Sequence, residues 1–121
     1  MKSFLLIIAS LIFLTSCQPK NESTEITSVN DLSQIDFNDV NNVLLDVRTP
    51  EEFKEGNIPN SVNYDFMSED FDSMIQDLDP EKTYYVYCQA GGRSTEASTK
   101  MQQAGFKKVV NLKDGYSAYK K

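Results

Sequence analysis

Thr83-Tyr84-Tyr85-Val86-Tyr87-Cys88-Gln89-Ala90-Gly91-Gly92-Arg93-Ser94 is the stretch whose reading decides the fold. Residues Thr83 to Tyr87 are β-branched or aromatic without interruption, the composition of a strand. Ser94 to Ala104 then sets Ala97, Met101 and Ala104 on one face at helical spacing, and Gly105 follows as a helix-ending residue. Between strand and helix lie a cysteine, two glycines and an arginine. In an open α/β sheet a ligand binds beyond the carboxyl ends of the strands, and Cys88 stands at such an end.

The connecting loop reads as an anion cup with a nucleophile at its floor. Gly91 and Gly92 permit unusual backbone angles and a close approach of main chain to a bound atom. Successive N–H groups in such a turn converge as a nest, and the helix start adds about half a positive charge. Arg93 adds a full one, and a second reading, weighed about equally, has it point outward to a carboxylate and pin the loop through a salt bridge. The chain has no histidine, so the usual base for a cysteine is missing. Activation of Cys88 falls to the loop Gln89, Ala90, Gly91, Gly92, Arg93 and Ser94, and a depressed thiol pKa is expected.

Outward from the loop the alternation of strand and helix continues. Val43 to Val47 reads as a second buried parallel strand. Asp46 and Arg48, at its carboxyl end, are candidates for the same edge, with a structural role weighed above a catalytic one. Thr49-Pro50-Glu51-Glu52 is a helix start with a capping box, and the helix ends at Gly56. Glu51, Glu52 and Glu55 read as its solvated face, and Tyr84, Tyr85 and Tyr87 as strand packing. Ser61 to Tyr64 reads as a short strand, Ser68 to Leu78 as a helix burying Phe71, Met74, Ile75 and Leu78, and Lys108 to Asn111 as a last strand. Asp114-Gly115 reads as a turn before a short terminal helix, Tyr116 to Lys121. At the other end, Asn30 or Asp31 is expected to cap a helix carrying Leu32 and Ile35 inward. The pattern predicts an α/β fold, with a mostly parallel central sheet flanked by helices.

Three motifs, in order, resemble one family. The loop, with four residues between Cys88 and Arg93, resembles the active-site loop of rhodanese-like sulfurtransferases. Leu44-Leu45-Asp46-Val47-Arg48-Thr49-Pro50-Glu51-Glu52-Phe53, leading to Glu55-Gly56-Asn57-Ile58-Pro59-Asn60-Ser61-Val62-Asn63, is similar to the family's L-I-D-V-R-x-x-x-E-[YF] run and its G-H-I-P-G-A. Asp114-Gly115-Tyr116-Ser117-Ala118-Tyr119 is similar to its G-G-x-x-A-W. Asn57, Asn60 and Tyr119 depart from the pattern.

The resemblance implies a single rhodanese-like domain over residues 28–121, with no cofactor and no metal. It also implies a covalent mechanism. The Cys88 thiolate takes sulfane sulfur from a small sulfur-containing substrate and becomes a persulfide cradled by the loop N–H groups. A thiol or cyanide-like acceptor then removes the sulfur. Gln89 stands where many thiosulfate-using members carry a basic residue, which argues against thiosulfate as the natural donor. Two other readings compete. One is a non-catalytic partner-binding or sulfur-carrier module on the same fold. The other is a phosphatase-like or arsenate-reductase-like enzyme, for which the loop is one residue short.

The N-terminus reads separately. Met1-Lys2-Ser3 is a short basic start, and Phe4 to Leu14 is an apolar run too short for a bilayer, which needs about 20 residues. Leu14-Thr15-Ser16-Cys17 resembles a lipoprotein cleavage box. Residues 1–16 are thus expected to be a lipoprotein signal peptide, Cys17 to carry lipid, and residues 17–27 to be a polar, flexible tether. The expected location is the bacterial cell envelope, on the periplasmic side of a membrane held through that anchor. An exported chain usually pairs its cysteines, so an unpaired Cys88 reads as a working thiol. Without residues 1–16 the chain carries 18 acidic and 11 basic residues. That balance excludes nucleic acid as a partner and leaves any anion to be captured locally.

Overall fold

In the computed structural model, which describes residues 26–121, four strands form one parallel sheet. They are β1 (Asn42–Asp46), β2 (Ser61–Asn63), β3 (Thr83–Tyr87) and β4 (Lys108–Asn111), in the spatial order β2-β1-β3-β4. All three pairings are parallel, with Leu45 opposite both Val62 and Val86. Three helices connect them: α1 (Pro50–Glu55), α2 (Phe71–Gln76) and α3 (Gly92–Gln103). The signal peptide, Cys17 and the tether as far as residue 25 lie outside the described residues. Ile26, assigned to the tether by sequence, is buried in the core beside Val29 and Leu32.

The pleat divides the core in two, because successive side chains of a strand face opposite ways. Leu45, Val47, Tyr84, Val86 and Cys88 face α2 and α3, meeting Phe71, Ile75, Ala97 and Met101. Leu44, Tyr85 and Tyr87 face the other way, onto Val29, Leu32, Ile58 and Leu112. Each large side chain so buried contributes about 1.5–3 kcal/mol. The two faces matter to the site: Cys88 belongs to one, and Asp46, in step with Leu44, to the other.

Several boundaries differ from the sequence expectations. Ser28, not Asn30 or Asp31, caps the first element, a 3-10 turn over Val29–Gln34. Asn30 is engaged elsewhere: its side chain donates to Ala118 O at 2.9 Å and accepts from Lys120 N at 3.0 Å. That clamp draws the C-terminus out straight, so the expected terminal helix is a 3-10 turn over Tyr116–Ala118, and Tyr119 is extended. α2 is shorter than expected because Asp65 and Ser68 side chains capture the Met67 and Asp70 N–H groups in turns before it. α1 has the capping box, with Thr49 Oγ1 accepting from Glu52 N. α3 begins two residues earlier than expected, at Gly92, with Gly91 as its N-cap. Its buried face is Ser94, Ala97, Ser98 and Met101, while Ala104 is exposed. At its end the Phe106 and Gly105 N–H groups donate to Met101 O and Gln102 O, and Gly105 has φ +95°, the Schellman arrangement its glycine foretold.

Candidate active site

β3 delivers Cys88 to the carboxyl edge of the sheet, and the early start of α3 folds the chain back over it. Cys88 is 1% exposed, and Sγ accepts from Gly91 N at 3.0 Å. As a thiol it also donates to Ser94 Oγ at 3.5 Å, and Ser94 Oγ in turn donates to Gly91 O at 3.2 Å. Burial pushes the Cys88 thiol up. The Ser94 hydroxyl and the N–H groups of Ser94, Ala90 and Gly91 oppose it and leave the pKa below the usual thiol value. The depressed pKa expected from the loop is present, and its largest sources are uncharged donors.

The loop keeps its shape because its carbonyls are held from behind. Tyr116 N donates to Cys88 O at 2.8 Å and Ser117 N to Gln89 O at 3.1 Å. A planar trans peptide points its N–H opposite its carbonyl, so these bonds aim the Gln89 and Ala90 N–H groups toward the front of the loop. Two glycines make this possible. Gly91 has φ +97°, and a Cβ there would strike the Lys113 carbonyl. Gly115 has φ +69°, and a Cβ there would lie 2.8 Å from Cys88 O and 2.7 Å from the Gln89 carbonyl carbon. Gly92 departs from expectation: it is exposed and has open space where a Cβ would be, with no positive φ.

The charged residues sort into two pairs. Arg48 and Asp46 are 2% and 0% exposed and form a buried ion pair at 2.7 Å. Arg48 also donates to Gly56 O at 2.6 Å and to Gln89 Oε1 at 3.2 Å, and lies over the Tyr116 ring at 4.3 Å. It therefore ties β1, the end of α1, the Cys88 loop and the C-terminal turn together, the structural role favoured by the sequence. Asn63 Nδ2 secures the same corner by donating to Asp46 O and Arg48 O. Arg93, read from sequence either as a cation for the cup or as a salt bridge that pins the loop, forms the salt bridge: it is locked to Glu52 by two bonds of 2.6 and 3.0 Å. Glu52 is correspondingly part of the site and not of a solvated face. The Arg93 guanidinium, against the pull of burial and with help from Thr49, holds the Glu52 carboxyl down at about 2.

All of Cys88, Gln89, Ala90, Gly91, Gly92, Arg93 and Ser94 thus lie in one loop and first helical turn, with Asp46 and Arg48 behind Gln89. Glu52, Gly56, Gly115 and the Tyr116 and Ser117 N–H groups were not singled out from sequence. Glu52 carried a signal, as an acid after a capped helix start whose partner had to come from another element. The arrangement can hold a thiolate, or one further compact anionic atom on it, with dipoles alone.

Comparison with known proteins gives the same picture. The rhodanese-like domain family matches residues 28–121. The chain is 37% identical over 87 residues to thiosulfate sulfurtransferase 16, chloroplastic, of Arabidopsis thaliana, covering 64% of this chain and 72% of that one. It is 30% identical over 77 residues to a sulfurtransferase of Allochromatium vinosum, covering 64% and 70%. Among solved structures, a rhodanese-related protein from Thermoplasma volcanium superposes with a TM-score of 0.57 at 30% identity, covering 77% of this chain and 89% of that one.

Proposed function

This chain belongs to the rhodanese-like domain family, and on that footing we propose that it moves sulfane sulfur through a persulfide on Cys88. The observation that carries the proposal is the cup itself: a buried sulfur ringed by the N–H groups of Ala90, Gly91 and Ser94 and by the Ser94 hydroxyl. In the first step the Cys88 thiolate attacks the terminal sulfur of a donor. The new S–S bond forms as the donor's bond to that sulfur breaks, and its electron pair leaves with the rest of the donor. In the second step a thiol or cyanide-like acceptor attacks the outer sulfur and the Cys88 thiolate departs. Both steps use a leaving or attacking thiolate, so a histidine base is not needed. The outer sulfur carries the negative charge between steps, and the N–H cup stabilises it as an oxyanion hole stabilises oxygen.

The test reads the intact mass of the protein after incubation with thiosulfate, a polysulfide or an organic persulfide. The expected result is a gain of one sulfur atom that Cys88→Ser abolishes and that cyanide or a thiol removes. Failure to gain sulfur from any donor would refute the reading, and uptake without release to any acceptor would make the chain a carrier. The proposed location is the cell envelope, supported by Leu14-Thr15-Ser16-Cys17 after its apolar run. Cys17→Ala is expected to move the protein from the membrane fraction to the soluble one; retention on membranes would refute the anchor.

A further inference from the structure

The turn that holds the Cys88 loop from behind is itself anchored by side chains at two points. Residues 113–117 lie against the loop. The Lys113 carbonyl occupies the space beside Gly91, and the Tyr116 and Ser117 N–H groups bind the Cys88 and Gln89 carbonyls. One anchor is the Tyr116 ring, which lies against the Arg48 guanidinium. The other is Asp114. Its carboxylate accepts from Ser28 Oγ at 2.5 Å and from Val29 N at 3.0 Å, across 86 and 85 residues of chain. Val29 is 0% exposed, so the far end of this tie is fixed in the core. Asn30 extends it by binding Ala118 O and Lys120 N. Asp114 stands where the G-G-x-x-A-W pattern has its first glycine, and a glycine has no side chain with which to make such a tie.

Resting on the reading of Cys88 as the sulfur-carrying thiol, we propose that Asp114 is a positioning residue for the reaction: by holding Ser28 and Val29 it fixes the turn that aims the loop N–H groups at Cys88. The route is short. Ser117 N holds Gln89 O, and the N–H of that same peptide belongs to Ala90, one of the donors facing the Cys88 sulfur. A planar trans peptide turns as a unit, so a shift of the turn at one end changes the aim of the N–H at the other. Hydrogen bonds weaken steeply as they bend, and a cup that stabilises an anion with dipoles depends on aim alone. The tie also makes the start of the domain part of the site, since Ser28 follows directly on the segment read from sequence as a tether. The plainer alternative is that Asp114 only caps the first 3-10 turn through Val29 N, which would support stability and leave the thiol alone.

The experiment follows iodoacetamide alkylation of Cys88 against pH in the full chain, read from the mass of the Cys88 peptide, in Asp114→Ala and Asp114→Asn. Asparagine can keep both bonds, its Oδ1 accepting from Val29 N and its Nδ2 donating to Ser28 Oγ, but it carries no charge. Alanine loses the bonds and the charge together, so the two variants differ in the tie and not in the carboxylate's field. The other charged groups around Cys88, the Arg93–Glu52 and Arg48–Asp46 pairs and the exposed Lys113, are common to both. The Cys88 pKa is expected to be higher in Asp114→Ala by about half a unit, half the effect of losing one donor outright, so alkylation below the pKa is about threefold slower. Equal pKa values in the two variants overturn the proposal whatever happens to the melting temperature, because a cap alone would lower the latter and leave the folded-state thiol unmoved. If Asp114→Ala does not fold, Ser28→Ala decides: it removes one of the two bonds and should slow alkylation by roughly twofold, and an unchanged rate overturns the proposal. Alkylation does not depend on sulfur transfer, so a wild type that takes up no sulfur refutes the sulfurtransferase reading and leaves the test of Asp114 standing.

Discussion

Replacing Ser94 by alanine removes one hydroxyl from beneath Cys88 and tests what holds the thiolate. In the thiol state Ser94 Oγ donates to Gly91 O. That carbonyl also accepts from Thr95 N at 3.1 Å and Thr95 Oγ1 at 2.7 Å. When Cys88 ionises, the Ser94 hydroxyl is therefore free to turn toward Sγ without leaving a buried carbonyl unpaired. A hydrogen bond to a charged group contributes about 1.5–3 kcal/mol, and the 3.5 Å separation places this one near the lower figure. At about 1.4 kcal/mol per pKa unit, Ser94→Ala should raise the Cys88 pKa by about one unit. The sign follows because the lost donor favours the charged form. Below its pKa the thiolate fraction then falls by up to about tenfold, and alkylation slows in proportion. The assay is the rate of iodoacetamide modification against pH, with thermal unfolding as the control. An apparent pKa within about 0.3 unit of wild type, in a variant that melts normally, would refute the reasoning and assign the whole effect to the backbone N–H groups.

Two further outcomes follow from the same geometry. Gly115→Ala should lower stability by at least about 1–2 kcal/mol, the left-handed conformation alone costing that, and should slow Cys88 alkylation by pushing the Cys88 and Gln89 carbonyls off Tyr116 and Ser117; Gly92→Ala, with open space around it, should do neither. Urea midpoints and alkylation rates check both. Glu52, whose folded pKa lies at about 2 against an ordinary 4.5, stabilises the fold fully above pH 4.5 and loses that contribution as pH falls toward 2. Glu52→Gln should therefore flatten the decline in stability over that interval, and an unchanged slope in acid unfolding would show that the pair with Arg93 contributes nothing.

What was legible in the sequence was whatever depends on neighbours along the chain. The β-branched and aromatic run before Cys88, the apolar Val43–Val47 run, the Thr49–Glu52 capping box and the Gly105 stop each declare themselves locally, and the sheet follows from their alternation. The cup around Cys88 was legible for the same reason, since its donors all lie within six residues of the sulfur. What failed was long-range. A salt bridge from Arg93 was one of two readings open in the sequence, but Glu52 is 41 residues away and no local pattern names it as the partner. Asn30 looked like a cap because asparagine is a good one, but its side chain is used 88 residues away at Ala118. Gly92 looked like a partner of Gly91 in the turn; the helix simply begins there.

That last error bears on the chemistry. With α3 starting at Gly92, Ser94 lies in the first helical turn, where backbone N–H groups have no partner within the helix. The Ser94 N–H is one of those groups, so the helix satisfies an orphan donor by turning it on Cys88. The same start carries Arg93 away from the sulfur to meet α1. The loop therefore stabilises an anion with dipoles, while its cations hold elements together: Arg93 joins α3 to α1, and Arg48 joins β1 to the loop and the C-terminal turn. Dipoles aimed at one point act over a short range and are insensitive to the chain's overall negative charge, which would otherwise work against a thiolate. An acidic protein can keep a low-pKa cysteine on these terms without also attracting every anion in solution.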